Sequence, residues 1–451
     1  MNEECGIEMR TTILAVLVAL ATLCAFATAQ ETAEDWVNKD EELYKNGSYE
    51  QVAEVWEGAP QLYTYIESIE QNPAANASAQ VEEVWNKTYG GQGYDVGSSV
   101  IKTKDGGYVI TGWTESYGVG GLDAWLIKAD EAGNEIWNKT YGGLGDEGGF
   151  SVQETLDERY ILVGRTESYG AGSSDLWLIK IDSEGTEEWN KTFGGRDYES
   201  GTSVQNTMDG GYIIAGATKS YGVGGLDAWL IKADEAGNEI WNKTFGGPAD
   251  DFANSALQTK DGGYIFTGYT IQSHGIDNSD LWVVKTDSKG DILWDKAFGG
   301  DDNDVGVSIK EINDGGYIIT GGVNAPSAPN IQHNYVGDAW LIRTDPNGTL
   351  ELSKAFRFNP SSYNLGTAVL ETEDGGYVVA GYSFGPGLSG AWMIKTNSLG
   401  ADQWVLNFDK SGNKNVGSIQ QTDCGEYILT GTLEPYGEGE GGAWLIKANS
   451  K

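Results

Sequence analysis

The sequence predicts an all-β fold made of seven repeated units, each a four-stranded antiparallel sheet. Among 451 residues there are 65 Gly and 16 Trp but only 9 Pro, a composition typical of many tight turns and aromatic packing. A tryptophan in a DAWLIK-like segment recurs through the chain, at Trp125, Trp177, Trp229, Trp282, Trp340, Trp392 and Trp444. A tyrosine in a DGGYVITG-like segment recurs in step with it, at Tyr108, Tyr160, Tyr212, Tyr264, Tyr317, Tyr377 and Tyr427.

Residues 1–29 are predicted to be a signal peptide. Arg10 precedes an apolar run from Ile13 to Ala27, and Ala27-Thr28-Ala29 has the small-residue pattern of a cleavage site. Because the run is short for a membrane span, we expect a secreted or cell-surface protein with no transmembrane span in the mature chain. An uncleaved membrane anchor is the alternative.

Residues 30–71 are predicted to form a small α-helical segment, and residues 72–80 a linker. The helical segment resembles a single tetratricopeptide repeat, through Trp36, Gly47, Tyr49, Trp56 and Ala59. It departs from that family at Asp40 and Val52, where small residues are preferred. Since one such repeat cannot bury its own apolar face, we expect it to dock on the rest of the chain or on a protein partner.

Residues 81–451 contain the repeats. In the first unit the four strands are VGSSVIKT, YVITGWT, DAWLIKAD and EIWNKTY, and the turns between them carry Asp-Gly-Gly and Ala-Gly-Asn. Glycine and asparagine supply the positive φ that tight hairpins require. The second and third strands are apolar on both faces, which predicts inner strands covered by neighbouring sheets. The fourth is polar on one face, as expected for an outer edge that Lys139 protects from further pairing.

Four-stranded units at this spacing, with a tryptophan on the outer strand, are typical of a β-propeller. The segment DGGYVITGWTESYGVGGLDAWLIKADEAGNEIWNKTYGG and its six relatives resemble the seven-bladed β-propeller repeat family of secreted and surface proteins. The resemblance covers about four-fifths of the chain, residues 81–451. It implies a seven-bladed propeller of four-stranded antiparallel blades in an exported protein.

The order of the strands also predicts how the ring closes. The seventh unit stops at Lys451 after its third strand, whereas residues 81–89 form a fourth strand with no unit before it. We therefore expect this N-terminal strand to complete the last blade and close the ring, with Trp85 buried in the contact.

The charge of the chain excludes some partners. There are 67 acidic and 29 basic residues, for a formal net charge of −38 and a pI near 4.2. Such a surface repels nucleic acid and anionic lipid headgroups, so we expect no nucleic-acid partner. Cys5 and Cys24 leave with the signal peptide and Cys424 stands alone, so no disulfide within the chain is expected.

The sequence contains no recognisable catalytic or zinc-binding motif. Its two histidines, His274 and His333, lie in the corresponding loops of adjacent units, and no G-x-S-x-G elbow occurs. We therefore expect no catalytic residues, no resident metal and no cofactor. Acidic segments between units, such as GLGDEGG and GDDNDVG, leave calcium open, with turn-forming aspartates as the alternative.

The loops between second and third strands are the predicted ligand face, since loops on one propeller face are free to vary. Aromatic and imidazole side chains there suit sugar or protein contacts, although each can instead pack its own loop. The candidate ligand-binding residues are Tyr117, Tyr169, Tyr221, His274, His333, Tyr335 and Tyr436.

Near-identical repeats favour a scaffold over an enzyme. Residues 116–140 and 220–244 have the same sequence, whereas an active site needs different groups converging on one point. We therefore predict a non-enzymatic binding or assembly scaffold for a protein or carbohydrate ligand at the loop face. The alternative is a propeller hydrolase or lyase acting on polysaccharide through loop carboxylates.

The outer strand carries a recurring N-glycosylation sequon. On this strand Asn138 lies opposite Trp137, which places it toward solvent. An exported protein is thus expected to carry glycans around the perimeter, the alternative being a plain hydrophilic edge strand. The candidate sites are Asn46, Asn76, Asn86, Asn138, Asn190, Asn242 and Asn347.

Overall fold

The structure is a computed structural model that describes residues 81–271, 278–324, 337–358, 362–384, 390–408, 413–422, 424–434 and 441–450. All regular secondary structure in these ranges is β-strand. A helix long and apolar enough to span a bilayer does not occur among them. The predicted signal peptide (1–29), helical segment (30–71) and linker (72–80) lie outside the described residues, so those predictions stay untested.

The described strands form four four-stranded antiparallel sheets, one five-stranded sheet, and one eight-stranded sheet in which two four-stranded units are joined by a single parallel pair, Gly337 with Tyr363. We number these antiparallel units along the chain as sheets 1 to 7. Sheet 1 contains β2 (Asp95–Lys102), β3 (Tyr108–Thr114), β4 (Asp123–Ala129) and β5 (Glu135–Tyr141). Sheet 2 contains β6 (Glu147–Glu154), β7 (Tyr160–Thr166), β8 (Asp175–Ile181) and β9 (Glu187–Phe193). Sheet 3 contains β10 (Glu199–Asn206), β11 (Tyr212–Thr218), β12 (Asp227–Ala233) and β13 (Glu239–Phe245).

The second half of the repeat region continues the pattern. Sheet 4 contains β14 (Asp251–Gln258), β15 (Tyr264–Ile271), β16 (Ser279–Thr286) and β17 (Ile292–Phe298). Sheet 5 contains β18 (Asp304–Glu311), β19 (Tyr317–Asn324), β20 (Gly337–Thr344) and β21 (Leu350–Phe356). Sheet 6 contains β22 (Tyr363–Glu371), β23 (Tyr377–Phe384), β24 (Gly390–Thr396) and β25 (Asp402–Asn407). Sheet 7 contains β26 (Asn413–Lys414) with β27 (Ser418–Gln421), then β28 (Tyr427–Glu434), β29 (Gly442–Ser450) and β1 (Val81–Tyr89).

The hydrophobic core lies between adjacent sheets. The third strand is buried along its whole length in sheets 1, 2 and 3, with Trp125, Trp177 and Trp229 at most 2% exposed. Its apolar side chains pack on those of the next sheet, as in the cluster that joins sheets 2 and 3. The prediction that the second and third strands are covered on both faces is therefore confirmed. Burial of this kind stabilises by about 25 cal/mol per Å² of apolar area.

In six of the seven sheets a tryptophan on the outer strand packs against the next sheet; sheet 5 carries Leu352 there. The ring centroid of Trp137 on β5 lies 6.4 Å from that of Tyr160 in sheet 2. Beneath the same indole is Gly185, where a Cβ would lie 3.0 Å from the ring and φ is +82°. Glycine is thus required both by the turn and by the tryptophan. The same contact recurs in the pairs Trp189–Tyr212, Trp241–Tyr264, Trp294–Tyr317 and Trp404–Tyr427.

The first strand of the repeat region is the outer strand of the last sheet. β1 pairs antiparallel with β29, from Val81 opposite Ser450 to Tyr89 opposite Ala443. Its Trp85 docks on sheet 1 as the other outer tryptophans do, 6.0 Å from Tyr108 between ring centroids. The Tyr89 hydroxyl also donates a hydrogen bond of 2.7 Å to the carbonyl of Gly133. β1 therefore belongs to sheet 7 by backbone pairing and contacts sheet 1 through its side chains.

In sheets 1–4 and 6 a buried lysine on the third strand holds the turn between the first two strands; sheet 5 uses the pair Arg343–Asp314 and sheet 7 the pair Lys447–Glu426. In sheet 1 Lys128 Nζ lies 2.7 Å from an oxygen of Asp105 and donates to Thr103 Oγ1 at 2.6 Å. Burial by itself would raise the pKa of Asp105, but hydrogen bonds from Lys128, Thr103 and Gly107 outweigh it and lower the pKa to about 2. The same pairing recurs as Lys180–Asp157, Lys232–Asp209, Lys285–Asp261 and Lys395–Asp374.

Trp85→Ala should lower the free energy of unfolding by about 2–3 kcal/mol, because it removes apolar burial at the contact between sheets 7 and 1. Val84→Ala, at the exposed neighbouring position on the same strand, is the matched control and should change it by less than about 0.5 kcal/mol. Urea unfolding followed by tryptophan fluorescence measures both. Equal stability of the two variants would contradict the assigned contact.

The lysine–aspartate pairs predict acid lability. The pKa values of Asp105, Asp209 and Asp261 are lowered from 3.8 to about 2, so their stabilising effect is complete above pH 4 and is lost as the pH falls through 2. Asp105→Asn should therefore be less stable than the unmodified protein at pH 7, and the gap should close between pH 4 and pH 2. Urea unfolding at pH 7, 4, 3 and 2 measures the gap. A difference that does not change with pH would refute the role of this ion pair.

Candidate functional site

The loops between second and third strands lie on one face together with the connections between sheets. In sheet 2 the Ser168 hydroxyl accepts a 2.8 Å hydrogen bond from the backbone N–H of Gly145, in the preceding connection. Asp146 of that connection accepts a 3.0 Å hydrogen bond from the backbone N–H of Leu122. We call this surface the loop face; its described parts in sheets 1 to 3 are residues 90–94, 115–122, 142–146, 167–174, 194–198, 219–226 and 246–250.

Three of the predicted ligand-binding tyrosines occupy equivalent positions on the loop face. Tyr117, Tyr169 and Tyr221 are 40%, 44% and 45% exposed, and each ring lies 5.6–5.8 Å from the buried tryptophan of its own sheet. Each hydroxyl donates to a glycine carbonyl in the preceding connection, at 2.8–2.9 Å; the acceptors are Gly90, Gly142 and Gly194. The tyrosines thus pack their own loops and also present part of their rings to solvent in one fixed pose.

The remaining candidates cannot be placed on this face. His274, His333, Tyr335 and Tyr436 lie outside the described residues. Their predicted role in ligand binding stays a prediction.

In sheets 1 to 5 a buried carboxylate at the start of the innermost strand holds the loop face in shape, whereas sheet 6 carries Asn364 there. Glu147 accepts hydrogen bonds from the backbone N–H of Gly143 at 2.7 Å, from Thr166 Oγ1 at 2.9 Å and from the backbone N–H of Ser168 at 3.0 Å. Glu199 repeats this arrangement in sheet 3, and Asp95 does so in sheet 1. Sequence reasoning missed this role, although an acid six positions after the end of the preceding outer strand in sheets 1 to 5 is its signal.

Glu147 and Glu199 each have a second carboxylate beside them, Asp123 and Asp175. A Cβ on Gly142 would lie 2.4 Å from an oxygen of Asp123 and 2.4 Å from an oxygen of Glu147, so only glycine fits between them. Burial, and then the charge of Glu147, raises the pKa of Asp123. Burial and the charge of Asp251 likewise raise the pKa of Asp227.

In the acidic connections between sheets, which suggested a calcium site, carboxylate oxygens accept hydrogen bonds from backbone N–H groups. Asp146 accepts from Leu122, and Asp250 accepts from the backbone N–H of Leu226 at 2.9 Å. Across the part of the chain that the structure describes, no group of three or more His, Cys, Asp or Glu side chains is arranged to hold a metal ion. Calcium binding stays a prediction.

A cavity of about 470 Å³ lies where the innermost strands of all seven sheets meet. Its wall is formed by the second halves of β2, β6, β10, β14, β18 and β22, and by β27. We call it the central cavity. Sequence reasoning did not locate it, although a serine recurring in the innermost strands was a visible signal.

The described sequons lie at the perimeter. Asn86, Asn190, Asn242 and Asn347 are exposed and Asn138 is half-buried. In sheet 2 Asn190 accepts a 3.3 Å hydrogen bond from the indole N–H of Trp177 and donates through Nδ2 to Glu187 at 2.6 Å. Glycosylation stays a prediction at these positions; Asn46 and Asn76 lie outside the described residues.

Comparison with known proteins shows the fold. No family model matches the chain. Over 83% of this chain and 96% of the other, the structure is similar to that of the Neurospora crassa Pan2 WD40 domain, with a TM-score of 0.53 and 11% sequence identity. A further similar structure is Sqt1 from Chaetomium thermophilum, with a TM-score of 0.46, 9% identity and coverage of 78% and 84%. Together with the repeated antiparallel sheets, the first similarity shows a β-propeller fold.

One curated relative is more similar in sequence. The regulatory protein FlaEY of Caulobacter vibrioides is 28% identical over 199 residues, which are 38% of this chain. The match spans about a fifth of that protein's length. The comparisons therefore show the β-propeller fold; the expected relation to secreted and surface propellers stays a prediction.

Glu147→Ala should destabilise the protein by about 2–4 kcal/mol, because three donors beneath the loop face lose their acceptor. Glu131→Ala, at an exposed turn position, is the matched control and should be neutral within about 0.5 kcal/mol. Equilibrium urea unfolding measures both changes. A neutral Glu147→Ala would show that the carboxylate does not hold the loop.

Proposed function

We propose that the protein is an exported, closed seven-bladed propeller that acts as a non-enzymatic binding or assembly scaffold. Its ligand is a protein or a carbohydrate held at the loop face. The observation that carries this proposal is the repetition of one half-exposed tyrosine, in one pose, on three adjacent sheets. Tyrosine supplies a large amphipathic contact surface that suits both sugars and proteins.

Ring closure is supported by β1. Its backbone pairs with β29, and Trp85 and Tyr89 contact sheet 1, so one strand joins the last sheet to the first. Apolar side chains of sheet 7, Ile428, Ala443 and Leu445, belong to the same core cluster as Val100 and Tyr108 of sheet 1. A closed ring keeps the loop-face sites at fixed spacings.

Fixed spacing suits a repetitive ligand. When one ligand molecule engages two or three equivalent sites, the later contacts are intramolecular and raise the overall affinity without new chemistry. Exposed apolar side chains add to the surface, with Val119 and Val223 at 65% exposure in the first and third loops. We therefore favour a polymer or a protein with repeated motifs as the ligand.

Three buried carboxylates beneath the loop face give the alternative hydrolase or lyase little support. Asp95, Glu147 and Glu199 are at most 1% exposed and accept hydrogen bonds from their own loops. An acid–base pair for glycoside chemistry must reach the scissile bond. The scaffold is accordingly the function that we propose.

Changing Tyr117, Tyr169 and Tyr221 together to Ala should strongly weaken binding, while changing all three to Phe should preserve it within about threefold, since the aromatic surface remains. The full chain and both variants are applied to arrays of glycans and repeat peptides, with melting curves to verify folding. Single Ala variants should weaken binding stepwise, and the triple variant by about 100-fold or more. Unchanged binding by the triple Ala variant would refute the loop-face site.

A further inference from the structure

The central cavity has the size and lining of a small-molecule site. Its volume of about 470 Å³ falls within the range of about 300–1,000 Å³ typical of such sites. It is lined by innermost strands of every sheet, so a ligand there would be surrounded by the whole ring. This site is separate from the loop-face tyrosines and goes beyond the function proposed above.

Hydroxyl groups form one tier of the wall. The innermost strands of sheets 1 to 6 carry a β-bulge, and in sheets 1 to 5 the first residue paired after it is serine. Sheet 7 has a serine at the equivalent pairing position. These residues are Ser99, Ser151, Ser203, Ser255, Ser308 and Ser418. Ser151 and Ser203 each accept a hydrogen bond from a backbone N–H of the next sheet, at 3.3 and 3.4 Å. Their hydroxyl hydrogens therefore remain for a ligand in the cavity.

Amides and a single ammonium group form the next tier. Gln153, Gln205 and Gln420 line the cavity two positions after the serine or its equivalent, and Lys310 occupies that position in sheet 5. Lys310 is the one lysine among the residues described as lining the cavity. A cation thus occupies the position that holds an amide in three other sheets, while sheets 1, 4 and 6 carry Ile101, Leu257 and Leu370 there.

Lys310 lacks the partner that other enclosed lysines of this protein have. The third-strand lysines of sheets 1–4 and 6 each pair with an aspartate, whereas the Lys310 side chain has neither an ion pair nor a hydrogen bond to any described residue. Glu371 also lines the cavity, but it accepts a 2.9 Å hydrogen bond from the backbone N–H of Asn313 and does not pair with Lys310. Burial lowers the pKa of the Lys310 ammonium, and an anion beside it would favour the charged form again.

We propose that the central cavity binds a small sugar acid, with its carboxylate on the Lys310 ammonium and its hydroxyls on the serine and glutamine side chains. A carboxylate–ammonium hydrogen bond is about twice as strong as a neutral one, which makes Lys310 the anchor. The surrounding donors and acceptors match a polyhydroxylated body rather than an apolar one.

The test is isothermal titration of the full chain with glucuronate, glucose and acetate. Glucuronate should bind more tightly than glucose, which lacks the charge, and than acetate, which lacks the hydroxyls. Lys310→Gln should weaken glucuronate binding about tenfold or more, and it should fold, since three other sheets carry glutamine at that position. Lys289→Gln, at an exposed turn position, removes the same charge and should leave binding unchanged.

The triple Ala variant of the loop-face tyrosines should keep its glucuronate affinity, which separates this site from the loop face. Absence of glucuronate binding to the unmodified chain would overturn the proposal. So would equal affinity for acetate and glucuronate, or equal affinity of Lys310→Gln and the unmodified chain.

Discussion

The structure depends on the docking of one sheet's outer tryptophan against the next sheet's tyrosine and turn glycine. None of these sheets can bury its third strand alone, because that strand is apolar on both faces. The tryptophan sets the distance between adjacent sheets, and the indole lies so close to the turn glycine that a Cβ there would clash with it. Where sheet 5 carries Leu352 at this position, the leucine still contacts Gly400, so the geometry survives a smaller side chain.

The functional surfaces follow from this spacing. At the loop face, carboxylates such as Glu147 hold each loop against the preceding connection, and the tyrosine hydroxyl makes a second link. At the centre, the innermost strands meet around a polar cavity that contains Lys310. Apolar contacts thus hold the sheets together, and a polar cavity remains between their innermost strands.

The sequence predicts the repeats well because each strand and turn leaves a local pattern. The Trp125 and Tyr108 series identify the sheets, and counting strands places β1 beside β29. Side-chain contacts between segments that are distant in sequence leave no such local pattern. The sequence around Glu147 does not indicate that its hydrogen-bond donors are Gly143, Thr166 and Ser168. Lys310 shows its isolation only when the innermost strands are assembled, since a linear sequence does not indicate which side chains share a cavity.

The pairing of β1 with β29 also has a consequence for the synthesis of the chain. Val81 lies opposite Ser450, so the first strand of the repeat region has no backbone partner until nearly the whole chain has been made. Contacts between such distant segments form late, because closing a long loop costs entropy before any contact stabilises it. During translation β1 is an unpaired strand edge bearing an uncovered indole, the kind of segment that chaperones protect from aggregation.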